Sequence, residues 1–115
     1  MSKRVMGAVF LAAGLLSGCA PSEGEWNTAR AMVQGSPAMH REMVAQCIAT
    51  SDRASPAARQ QWAKIMNVST AKVTRIWCTR AVRAFADGRL TYEQARRMRL
   101  QSGDRSEFIK IIQGR

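Results

Sequence analysis

Residues 55–88 read SPAARQQWAKIMNVSTAKVTRIWCTRAVRAFADG, and this stretch decides the fold class. Ser55-Pro56 supplies an N-cap followed by proline at the first helical position, where its missing N–H is no loss. Trp62, Ile65 and Met66 then recur at helical spacing. Asn67 interrupts the pattern, and Asn is one of the few residues that tolerate a left-handed turn. From Ser69, read as a cap, a longer helix is expected over about residues 70–87, with Val73, Ile76, Trp77, Ala81 and Ala84 on its apolar face. Asp87-Gly88 stops it.

The same punctuation recurs on both sides. Upstream, Ser36-Pro37 opens a helix whose apolar face is Met39, Met43, Val44, Cys47 and Ile48, with His40 expected on an exposed flank. Before it, Trp26, Ala29 and Val33 predict a short helix over Glu25 to Gln34, ended by Gly35. Downstream, Leu90 is expected to plug the core, and Thr91 with Gln94 forms a capping box for a helix to about Leu100. Ser102-Gly103-Asp104 breaks the chain before a last helix carrying Phe108, Ile111 and Ile112. No alternating strand pattern appears. The expected fold is all-α, five or six short helices in one domain over residues 25–115.

The N-terminus is of a different kind. Lys3 and Arg4 precede an apolar run from Val5 to Leu16. Twelve helical residues span about 18 Å, short of a hydrocarbon core of about 30 Å. A basic start, a short apolar run and small residues after it read as an export signal. The run ends in Leu16-Ser17-Gly18-Cys19, which resembles the lipobox of bacterial lipoproteins. The resemblance implies cleavage after residue 18 and acylation of Cys19 as the mature N-terminus. Ala20, standing where the family's inner-membrane retention signal has Asp, implies sorting to an outer membrane, on its periplasmic face. Residues 19–24 would be the acylated end and a short spacer.

Charge is unevenly spread along the chain. The 115 residues carry a net charge of +10. Residues 19–55 sum to −1, whereas residues 56–115 hold 13 Lys and Arg against 4 acids. Arg80, Arg83, Arg96, Arg97 and Arg99 are the candidate contacts to an anionic partner: an acidic envelope protein, a cell-wall polymer or a lipid headgroup. An exported chain meets an oxidising compartment, and once Cys19 is set aside Cys47 and Cys78 are the two cysteines left to pair.

Other motifs point elsewhere. Residues 60–77 resemble a helix-turn-helix DNA-binding motif, with Ala63, Asn67-Val68, Val73 and Ile76 in its packing positions. That resemblance implies major-groove contacts from Ser69, Thr70, Lys72, Thr74 and Arg75, and makes a DNA-binding protein the alternative reading. Asp87 to Glu93 is similar to the second half of an EF-hand loop, but Arg83 and Phe85 stand where its earlier oxygen ligands belong. Met39, His40, Met43 and Cys47 include soft copper(I) ligands, but Met39, Met43 and Cys47 at four-residue steps make an ordinary core stripe, and such a stripe is more often packing. Residues 80–94 and the closing Ile-Ile-Gln-Gly-Arg resemble small exported bacterial proteins of unknown activity, which transfers no function. No phosphate loop, nucleophile motif or paired-carboxylate pattern appears, so no enzymatic activity, metal or cofactor is expected.

Overall fold

The computed structural model describes residues 20–115, and the whole fold within them is helical. Among these residues six helices follow one another: α1 (Glu23–Gly35), α2 (Pro37–Ser51), α3 (Pro56–Met66), α4 (Val73–Asp87), α5 (Tyr92–Arg99) and α6 (Ser106–Ile112). The export signal and Cys19 lie outside the described residues. No described helix is long and apolar enough to cross a membrane.

The helix starts follow from local chemistry. Ser36 and Ser55 cap α2 and α3, their hydroxyls accepting from the N–H of Met39 and of Ala58 at 3.2 Å each, with proline next in line. Thr91 and Gln94 form the reciprocal capping box of α5, at 3.1 and 2.8 Å. Gly88 ends α4 at φ 80°, and Asn67 ends α3 at φ 57°.

Two boundaries differ from the sequence reading. Helix α1 begins at Glu23, because Ser22 caps it and Glu23 and Glu25 place acidic charge in its first turn. The expected spacer of residues 19–24 therefore gives its last two residues to the helix. Helix α4 begins at Val73 and has no side-chain cap. Ser69 instead closes a turn, its carbonyl accepting from the N–H of Lys72 at 3.1 Å. That turn sets down Val73 at 2% exposure, and the burial of Val73 outweighs the cap that Ser69 offered.

Helix α4 is the centre of the molecule and packs against α1, α2, α3 and α6. Its buried residues Val73, Cys78, Ala81, Val82, Ala84, Phe85 and Ala86 cover more than half of the helix circumference, as a helix packed against four others requires. Val33, Ala63, Met66, Leu90, Phe108, Ile111 and Ile112 complete the core from other elements. The ring of Trp26 meets Phe85 edge-on at 4.7 Å, and Trp77 meets Phe108 at 5.6 Å. Met39 and Ile65 were expected in the apolar faces but are about 40% exposed. Met39 falls in the first turn of α2, and in α3 the neighbours Ala63 and Met66 take the core positions.

Cys47 of α2 and Cys78 of α4 form a disulfide with Cα atoms 5.7 Å apart. The bond ties the central helix to α2 and occupies the sulfur that a copper site would have used. Among the described residues no group of three or more His, Cys, Asp or Glu is placed to hold a metal ion.

Candidate functional site

The arginines expected to act together fall into two groups. Arg80 and Arg83 lie one turn apart on α4, and with Arg89 they line a cleft of about 370 Å³ that also includes Asp87 and Gly114. From the sequence Arg89 is a neighbour of the Arg96, Arg97 and Arg99 cluster and not itself an expected contact. It enters because α6 docks beside the α4–α5 junction and Glu107 draws its guanidinium in, Nε to Oε1 at 3.0 Å. Arg80 is fixed as well: its Nη1 donates to the carbonyl of Ile112 at 2.6 Å. Its guanidinium covers Gly114, where an added Cβ would come within 3.0 Å. Arg83, between them, is exposed and forms no ion pair among the described residues. Two guanidinium groups are thus held in place and a third is left for a ligand, an arrangement that suits a group with several acceptor oxygens.

Arg83 and Asp87 also border a second, larger cleft of about 870 Å³ with Val33, Gln34, Pro37, His40 and Arg41. Gln34 closes one end of it, donating its Nε2 to the carbonyl of Ala86 at 2.5 Å. His40, expected on an exposed flank, is half-buried and faces the end of α4 across this cleft. The two clefts together present Arg41, Arg80 and Arg83 against one unpaired carboxylate, Asp87, while Arg89 is paired with Glu107, so the local field is positive.

Arg96, Arg97 and Arg99 line neither cleft. Arg96 and Arg97 share the carboxylate of Glu93, at 3.5 and 3.7 Å. Arg97 also lies over Gly103 beside Asp104. The Asp104 carboxyl is held below its ordinary range, first by the N–H of Ser106 at 2.9 Å, then by the Ser106 hydroxyl, with Arg97 and Lys110 adding to it. Much of the positive charge of α5 is therefore answered within the chain. Arg99 is exposed and without an ion pair among the described residues.

The helix-turn-helix residues keep their packing but not their presentation. Ala63 is buried between α3 and α4, and Asn67 makes the left-handed turn. Yet Ser69, Thr70 and Lys72 sit on the turn before α4 and not in its first helical turn. Thr74 is half-buried against Trp62 and Trp77, and Arg75 alone stands exposed on the helix itself. The hydrophobic pattern is shared by any such pair of packed helices.

The molecule is thus an all-α globule of six described helices carrying an arginine-lined cleft at the end of its central helix. No protein-family model matches the chain, and neither a curated protein nor a solved structure matches it.

Proposed function

We propose that the chain is a small lipid-anchored component of a bacterial cell envelope that works by binding and not by catalysis. In this reading it is exported, cut after residue 18, acylated on Cys19 and held at the periplasmic face of the outer membrane. The observation that carries the reading is the Cys47–Cys78 disulfide, a bond that persists in oxidising compartments and is rare in the cytosol. It agrees with the export signal. The partner is an anionic component of the envelope, met by Arg80, Arg83 and Arg89, with Arg41 beside them.

Intact mass of the protein from its native cells, without reduction, tests the first part. A chain beginning at Cys19, heavier by acyl groups and lighter by the two hydrogens of a disulfide, is the expected result. An uncut chain with free thiols would overturn the envelope reading and make duplex DNA the ligand to test.

Arg83→Glu tests the second part. Arg83 is exposed and makes no hydrogen bond that the fold needs, so the variant should fold as the parent does. Binding to anionic envelope fractions at low salt is expected to fall at least tenfold, the ~1.4 kcal/mol that reversing one charge near a cationic cleft readily exceeds. Parent binding should itself weaken steeply with salt, because the screening length shrinks from about 30 Å at 0.01 M to about 3 Å at 1 M. Binding indifferent to both changes would remove the arginine cleft from the proposal.

A further inference from the structure

On the other side of the central helix lies a groove of opposite character. Pro21, near the start of the described chain, forms one wall, and Trp26, Ala29, Met43, Phe85 and Leu90 form others. Its volume is about 290 Å³, near the lower bound of the ~300–1,000 Å³ of small-molecule clefts, and its walls are almost wholly carbon. Trp26 also carries a buried indole N–H that has no acceptor among the described residues.

Cys19 precedes Pro21 by two residues, so a hydrocarbon chain on Cys19 is tethered to a residue of the groove wall through two peptide links, which reach at most about 7 Å. We propose that the groove is the docking site of one fatty acyl chain borne by Cys19. The proposal rests on the lipid-anchor reading and adds to it a place on the protein for part of the lipid.

A methylene on the carbon walls is shielded from water as one in the bilayer is, so docking costs the chain no hydrophobic burial. The covalent link supplies the chain at an effective concentration in the millimolar range, which gives it the advantage over free lipid. On α4 the groove residues Ala81, Val82 and Phe85 project on one side, and at about 100° per residue Arg80, Arg83 and Asp87 project on the other. A docked chain thus leaves the arginine cleft facing away from the lipid.

The test uses the acylated protein made by its native cells, fed a fatty acid with a photoreactive diazirine near the methyl end. After irradiation, peptide mapping is expected to find the acyl chain crosslinked within its own protein, to Trp26, Met43, Ala81, Val82, Phe85 or Leu90. Crosslinks to bilayer lipid alone, on a protein whose mass shows acylation, would overturn the groove and leave the anchor standing. A mass without acyl groups would remove both. Ala29→Leu narrows the groove by extending one wall, and the yield of self-crosslinks should fall. An unchanged yield from the folded variant would also overturn the proposal, and the parent crosslinks decide it where the variant does not fold.

Discussion

Reduction of the Cys47–Cys78 bond is expected to lower the unfolding free energy by about 3–4 kcal/mol. The figure comes from the separation of 31 residues between the two cysteines and the loop entropy that closing such a ring removes from the unfolded chain. For a domain of this size each kcal/mol moves the melting temperature by some 4–8 °C, so reduction should cost roughly 12–30 °C. Urea unfolding with and without reductant checks the result. The reduced protein should show a lower midpoint and a steeper dependence on urea, because its unfolded state is more open. Coincident curves would mean that the staple adds nothing the helices do not already supply.

Phe85→Ala should be the most damaging single truncation in the core. Phe85 is 7% exposed and meets Trp26 edge-on at 4.7 Å, so its ring joins α4 to α1. Removing a buried phenylalanine costs about 3–5 kcal/mol, the upper half of the range reflecting a cavity that neighbours cannot close. A small domain has only about 5–15 kcal/mol in all. The variant is therefore expected to melt tens of degrees lower, and in reductant to be largely unfolded at room temperature. Ile65→Ala is the control, since Ile65 is 41% exposed and its truncation should change stability by under about 1 kcal/mol. Similar losses at the two positions would contradict the placement of the core.

What could be read from the sequence was what the chain decides locally. Ser36-Pro37, Ser55-Pro56, Gly88 and the Thr91–Gln94 box each mark a helix end through atoms three or four residues apart, and each stands where expected. The cysteine pairing was legible by elimination. Where a distant neighbour outweighed a local signal, the reading slipped. Ser69 is a good cap in isolation, but the burial of Val73 against other elements moved the start of α4 beyond it.

The candidate site was the least legible part, for the same reason. Arg80 is held by the carbonyl of Ile112, 32 residues away, and Arg89 by Glu107, 18 residues away. Nothing in a run of sequence separates such arginines from Arg96 and Arg97, which turn back to Glu93 on their own helix. A charge count along the chain finds the basic half but not the cleft. The apolar groove was hidden more deeply, because its walls come from α1, α2 and α4 and from the residues flanking α1 and α4.

The disulfide also decides how the molecule carries a mechanical load. A pull applied between the N-terminal end and Arg115 reaches Cys47, crosses the sulfur–sulfur bond and continues from Cys78. Residues 48–77, which include all of α3, lie off that line of force. While the bond is intact they add nothing to the extension, and the stretched chain is shorter by roughly 100 Å than its residue count implies. Tension would peel α1 and the first part of α2 from one side and α6, α5 and the rest of α4 from the other, leaving a slack covalent ring between them.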